Sequence, residues 1–183
     1  MKLLSLALAA LVLAGRLSAA DPAAAPGLAV GTKAADFTLK NAAGDDVALS
    51  ALLKKGPVAL VFYRSADWCP FCKKQLQALQ KNFREIEATG VQLVGISYDA
   101  PATSAAAVVK LGLTFPLLSD PGSKVIDAYG IRNAEAKGKS AGVPHPVVFL
   151  VDRQGVIRAK LAREGYRDRP ETAEIIAGVQ RMN

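Results

Sequence analysis

Apolar and polar positions along the chain follow two periods, and each change of period marks an element. Val58-Ala59-Leu60-Val61-Phe62-Tyr63 is a nearly unbroken apolar run, rich in β-branched and aromatic residues, as expected of a strand buried on both faces. The stretch after it places Cys72, Leu76, Leu79, Phe83 and Ile86 at steps of four and three, with Lys73, Lys74, Gln77, Lys81 and Arg84 between them. That spacing predicts a helix burying one stripe, and Gly90 is a natural residue to end it. Val91 to Ser97 reads as a second buried strand, and Asp99-Ala100-Pro101 opens a helix whose body is Ala105 to Leu111. Phe115 to Asp120 is a short strand running into a turn. Ser123 is placed to cap a helix carrying Val125, Ile126 and Tyr129, closed by Gly130. Asn133 to Gly142 is polar and reads as a surface loop. Val147 to Val151 is a third buried strand, turned by Asp152-Arg153-Gln154-Gly155 into the alternating, outer strand Val156 to Leu161. Pro170 to Met182 closes the chain as a helix with Ile175, Ile176 and Val179 inward.

Upstream, Asp36 to Leu39, a loop containing Gly44, and Val47 to Leu49 read as a hairpin, with Ser50 capping a helical turn through Leu53. Alternating strands and helices that end in a hairpin predict an α/β class. The sheet should be mixed, with helices on both faces and an N-terminal β-hairpin. Residues 21–34, with Pro22, Pro26 and two glycines among alanines, predict a linker or loosely docked arm, and residues 35–183 the domain. No internal repeat is visible.

The first 20 residues have the pattern of a cleaved signal peptide. Lys2 precedes an apolar run of about 13 residues, short for a bilayer span, and Ser18-Ala19-Ala20 offers small residues for cleavage before Asp21. The alternative is a retained anchor. Cleavage predicts an exported, periplasmic or otherwise extracytoplasmic protein without stable membrane insertion, in a compartment where disulfides persist. The remaining chain of about 160 residues suits one domain with a real core. The formal charge of +7 falls to about +5 once Lys2 and Arg16 are removed, but no basic run with interleaved aromatics points to nucleic acid. That excess reads as a solvated surface suited to acidic partners or anionic membrane surfaces.

Both cysteines lie in Ser65-Ala66-Asp67-Trp68-Cys69-Pro70-Phe71-Cys72, where strand gives way to helix. Pro70 suits the first helical position, so Cys69 falls at the N-cap, facing free backbone donors, and Cys72 falls on the buried stripe. A helix N-terminus and a Cys-x-x-Cys arrangement can lower a thiol pKa below its free value of about 8.5. Cys69 is therefore the candidate attacking thiol and Cys72 the candidate resolving thiol. A structural bridge and half of a zinc site are the alternatives. A four-thiolate site is excluded for want of a second cysteine pair, the single His145 cannot complete four ligands, and so short a loop gains little from closure. The redox reading implies no metal and no organic cofactor.

Trp-Cys-x-x-Cys after a buried strand resembles thioredoxin-fold proteins. Asp36-Phe37-Thr38-Leu39, Val61-Phe62-Tyr63, Val94 to Asp99, Phe115 to Asp120, Tyr129-Gly130-Ile131 and Phe149-Leu150-Val151-Asp152 together resemble one branch of them. That branch is the alkyl hydroperoxide reductase/thiol-specific antioxidant (redoxin) family, in which peroxiredoxins and exported thioredoxin-like reductases meet. The likeness runs from about Ala35 to Leu161 and implies a three-layer thioredoxin-like fold.

The chain departs from the peroxiredoxin pattern Pro-x-x-x-Thr-x-x-Cys. Counted back from Cys69, the Thr and Pro positions hold Ala66 and Phe62; counted from Cys72, they hold Cys69 and Ser65. Pro146 stands where the family's arginine is expected, and Arg64 and Arg132 have no supporting spacing. Pro146 instead matches the cis-proline that packs beside the cysteine pair in thioredoxin-like reductases and holds a substrate peptide. The resemblance then places His145 near Cys69 as a thiolate stabiliser or proton shuttle. Trp68 is expected as a packed wall of the site.

Three readings follow. The first is an exported thiol-disulfide oxidoreductase acting on a protein disulfide or dithiol partner, supplied by an upstream electron donor. The second is an atypical peroxidase in which Cys69 attacks hydroperoxide and Cys72 resolves the sulfenic acid. The third is a binding module with an inert bridge.

Overall fold

In a computed structural model of the chain, residues 25–182 are described. The expected signal peptide, residues 1–20, and the first residues of the expected linker lie outside them. Seven strands form one sheet: β1 (Thr38–Asn41), β2 (Asp46–Ala48), β3 (Val58–Phe62), β4 (Gln92–Ser97), β5 (Leu117–Ser119), β6 (Val147–Val151) and β7 (Ile157–Ala162). The spatial order is β2-β1-β5-β4-β3-β6-β7. The pairs β3·β4 and β4·β5 are parallel; the pairs β3·β6, β6·β7, β1·β5 and β1·β2 are antiparallel. The mixed sheet and the hairpin at its edge are those the alternation implied.

Period-two alternation sends each face of β3 into its own core. Ala59, Val61 and Tyr63 join Cys69, Cys72, Leu76, Leu79 and Ile86 on one side, with Ile175 and Val179. On the other side Val58, Leu60 and Phe62 meet Leu49, Ile126, Tyr129 and Phe149. The first layer is built on α2 (Pro70–Lys81), α3 (Phe83–Ala88), α4 (Pro101–Leu111) and α6 (Thr172–Gln180), and the second on α1 (Leu49–Lys55) and α5 (Lys124–Ala128). Gly95 of β4 has a packing reason: a Cβ there would stand 2.6 Å from Leu117 Cδ2 and 3.1 Å from the Tyr63 ring. Its bare backbone leaves room for that ring under the cysteines.

Several local expectations are corrected by contacts distant in sequence. The single helix expected from Cys72 through Ile86 breaks at Asn82, whose side chain donates to the Ala78 carbonyl at 2.9 Å, competing with the backbone ladder. Ser50 does not cap α1; its backbone N–H is bound by the Asp36 carboxylate, 3.2 Å away. Ser123 does not cap α5 either. Its hydroxyl donates to the Gly142 carbonyl, and the Asp120 carboxylate instead accepts from the N–H groups of Lys124 and Ile126 at 3.0 and 2.9 Å. Residues 29–34 of the expected linker or arm lie along the start of β7. Gly31 N–H donates to the Ile157 carbonyl at 2.8 Å, Ile157 N–H to the Thr32 carbonyl at 2.9 Å, and Ala34 N–H to the Gly155 carbonyl at 2.9 Å.

Candidate active site

β3 delivers the chain into a buried turn, residues 63–69, that is tied down on both sides before α2 begins. Ser65 is buried, and its hydroxyl accepts from Asp67 N–H at 3.1 Å. The Ala66 N–H donates to the Asp99 carboxylate at 2.7 Å, and Asp99, just past β4, is itself buried. Burial raises the Asp99 pKa against the hydrogen bonds that hold it down. The turn is therefore fixed to β4 before either cysteine is placed.

Cys69 is the N-cap of α2, and its sulfur accepts from the Cys72 N–H at 3.3 Å, with Pro70 in the first turn. Cys72 lies one turn on, fully buried, and both stand as free thiols. Cys69 is buried as well, at 1% exposure, between the half-exposed Trp68 and the exposed Pro70.

Trp68 is held by a hydrogen bond and a stacked cation. Its indole N–H donates to the Tyr98 hydroxyl at 2.9 Å, which in turn donates to the Lys139 carbonyl at 2.6 Å. The Arg64 guanidinium stacks 4.9 Å from the Trp68 ring centre and 4.4 Å from that of Tyr166. Tyr166 meets Phe71 edge-on at 5.9 Å. An aromatic and cationic rim thus surrounds the start of α2, and part of it comes from the segment between β7 and α6.

That segment also supplies a residue the sequence did not reveal. The Arg169 guanidinium places Nη2 3.5 Å from Cys72 Sγ, and its Nε donates to Gln75 Oε1 at 3.1 Å. The cysteines share a hydrogen bond, so their protons leave as a pair. The Cys72 thiol is pulled down to about 6 by the hydrogen bond it shares with Cys69, against burial, with help from the Ser65 backbone and Arg169. The Cys69 thiol is pushed up, first by its bond to the Cys72 sulfur and then by burial. The N-cap is thus not the only influence on the pair: Arg169, 97 residues away in the chain, lies against the inner sulfur and lowers both thiols.

His145 and Pro146 precede β6. The peptide bond between them is trans, as is every peptide bond among the described residues, so the expected cis-proline is absent. The loop is fixed instead by His145 N–H donating to the Ile131 carbonyl at 2.7 Å, and trans is the default for an X–Pro bond by about 0.5–1 kcal/mol. The half-buried imidazole is hydrogen-bonded to neither cysteine. Burial lowers its pKa, opposed by Glu135, so it is neutral at neutral pH. Arg132 is engaged elsewhere, with Nη2 on the Asp127 carboxylate at 2.7 Å.

The pattern of strands, the Cys-x-x-Cys turn and its helix are matched by a model of the AhpC/TSA family over residues 30–160. The chain belongs to the AhpC/TSA family. Among similar proteins of this and related kinds, the chloroplastic peroxiredoxin Q of Populus jackii is 34% identical over 122 residues, covering 67% of this chain and 54% of its own. The thiol-disulfide oxidoreductase ResA of Halalkalibacterium halodurans is 31% identical over 128 residues, covering 69% of this chain and 65% of its own. The matches thus span about half to two thirds of those relatives' lengths. The crystal structure of peroxidoxin BcpB from Mycobacterium tuberculosis superposes with a TM-score of 0.74 at 26% identity, over 84% of this chain and 97% of that one. The fold of this AhpC/TSA member is thioredoxin-like, with the mixed sheet between helical layers.

Proposed function

We propose that this AhpC/TSA member is an exported thiol-disulfide oxidoreductase, in which Cys69 attacks a partner disulfide and Cys72 resolves the mixed disulfide. The observation that carries the reading is the pairing of both sulfurs on the first turn of α2, with one accepting the other's backbone N–H at 3.3 Å. Two thiols so placed can close a disulfide without rearranging the fold and can be reopened by a donor. Resemblance to a thiol-disulfide oxidoreductase supports the same chemistry. Export rests on the signal-like pattern of residues 1–20, and no described helix is long and apolar enough to cross a membrane.

A second reading, reduction of hydroperoxides through the same pair, is favoured by the likeness to peroxiredoxin Q and to peroxidoxin BcpB. It needs positioned donors for the leaving oxygen, groups worth orders of magnitude in rate. Neither register of the cysteines supplies the threonine, and Pro146 replaces the arginine.

Stopped-flow oxidation of the reduced mature protein separates the two. Disulfide-bonded peptide is expected to oxidise the wild type much faster than hydrogen peroxide does, with the reaction lost in Cys69→Ser. Fast peroxide consumption that survives Cys72→Ser and vanishes in Cys69→Ser reverses the order.

A further inference from the structure

Arg64 follows β3 by two residues, and its guanidinium packs 4.9 Å from the Trp68 ring centre and 4.4 Å from that of Tyr166. Both rings have other anchors. The Trp68 indole N–H donates to the Tyr98 hydroxyl at 2.9 Å, and Tyr166 meets Phe71 edge-on at 5.9 Å. The cation is thereby fixed beside Trp68 and, through Tyr166, beside Phe71, the residues that directly precede Cys69 and Cys72.

Arg64 has rings for neighbours and no counter-ion. Among the described residues it forms no ion pair and no hydrogen bond, and its Nε is buried without a partner. Asp67, three residues on, is exposed and does not pair with it. The other cations around the cysteines are engaged or in solvent. Lys73 donates to the Asp67 carbonyl, Arg169 to Gln75 and to the carbonyls of Tyr166 and Asp168, and Arg163 binds Glu174. Lys139 and Arg167 are exposed, 5.9 Å from the Trp68 ring and 5.8 Å from the Tyr166 ring. A half-buried guanidinium has given up part of its hydration, and ring faces return only some of that cost. Stacking leaves its N–H edge open, the part whose planar fork matches a carboxylate two bonds at a time.

We propose that Arg64 is a specificity residue of this thiol chemistry: its fork binds a side-chain carboxylate that the partner peptide carries next to the disulfide under attack. The proposal deepens the thiol-disulfide reading above and rests on it. A disulfide is uncharged, so a cation at the site can select a partner only through the residues beside that bond, and in a peptide the acids available are Asp and Glu. A peptide whose cysteine meets Cys69 carries its adjoining residues over the rim of Trp68, Arg64 and Tyr166, because neighbouring Cα atoms stand only about 3.8 Å apart. The contact is non-covalent. It orients the partner and leaves the exchange of electrons to the two sulfurs. It also differs from the pull of the positive surface, which responds to net charge and not to where the acid stands.

The test uses two disulfide-linked peptides of identical composition with blocked termini. One has Asp beside the cysteine and Asn at its far end; the other has the two exchanged. Stopped flow gives the rate constant for oxidation of the reduced protein by each, divided by that of the same peptide with dithiothreitol, in wild type, R64Q and R64K. Wild type is expected to favour the adjacent Asp about tenfold, the worth of a charge-assisted pair, and R64Q to bring that ratio to about one. R64K, which keeps the charge and loses the fork, should keep a smaller preference than wild type, and it gives the same comparison where R64Q does not fold. Equal net charge cancels long-range attraction from the ratio, and measuring both peptides on one protein cancels any loss of folded material. A wild-type ratio near one, an R64Q that keeps the wild-type ratio, or an R64K that matches or exceeds it each overturns the proposal. A wild type oxidised by neither peptide removes the thiol-disulfide reading and this proposal with it, an outcome told apart from the others by the absence of any reaction.

Discussion

At the scale of single residues, the position of Cys69 was legible because Pro70 announces the helix start in adjacent sequence. Arg169 was not. Nothing local marks an arginine in the polar stretch before α6 as the one that reaches Cys72, since 97 residues separate them and only the closed fold brings them together. For His145 the family resemblance implied a place near Cys69; its imidazole makes no hydrogen bond to either sulfur, and its backbone N–H is bound to the Ile131 carbonyl. Beneath the site, the buried Tyr63 hydroxyl meets no partner at hydrogen-bond geometry among the described residues, and burial raises its pKa against the nearby Ser97 and Ser104 hydroxyls. Tyr63→Phe removes an unsatisfied polar group and keeps the ring, so chemical denaturation should show unchanged stability or a gain of about 1 kcal/mol. A loss of that size would mean the hydroxyl is bonded. Gly95→Ala forces a methyl into Leu117 and the Tyr63 ring, and should cost about 1–3 kcal/mol in the same measurement.

At the scale of elements, periodicity located the strands and helices well because each buries a face, but it could not assign their caps. Ser50 and Ser123 have cap-forming side chains at plausible positions, yet Asp36 and Asp120 reach the backbone donors first, and each belongs to a preceding segment. The β6–β7 turn shows the same carboxylate logic. Asp152 Oδ1 accepts from Gln154 and Val156 N–H at 2.9 Å each, and Oδ2 from Arg158 Nε at 2.6 Å. Burial works against the charged form, but these donors hold the Asp152 carboxyl below the usual carboxylate range. A depressed folded pKa means its stabilisation is present above the unfolded value of about 3.9 and is lost as pH falls through the lower folded value. Asp152→Ala should therefore cost about 2 kcal/mol at pH 7, and its deficit relative to wild type should shrink in urea titrations taken below pH 4. A deficit that stays constant to pH 2 would contradict the ion's role.

At the scale of the whole molecule, the order of elements was enough for a mixed sheet between helical layers, and the edge position of β7 followed from its alternation. The composition could not say that residues 29–34 dock on that edge, because their bonds are backbone to backbone and leave no side-chain pattern. Nor could it say where the excess of positive charge gathers. A groove of about 520 Å³ along α2 is lined by Lys74, Arg163, Arg167 and Arg169 and also by Asp168 and Glu171. With Arg163 paired to Glu174, three cations there face two carboxylates, a small positive excess that favours an acidic approach. An acidic disulfide peptide should react faster than a neutral one at low salt, and the advantage should fade as ionic strength rises. Equal rates for the two peptides at every salt concentration would remove charge from partner selection.

The proposed division of labour, in which Cys69 engages the partner and Cys72 releases it, can be read directly by mass spectrometry. Reduced Cys72→Ser protein mixed with a disulfide-bonded peptide should accumulate a mixed disulfide carried on Cys69, while Cys69→Ser should trap none. A mixed disulfide recovered on Cys72 of the Cys69→Ser protein, at a rate comparable to wild-type oxidation, would contradict it.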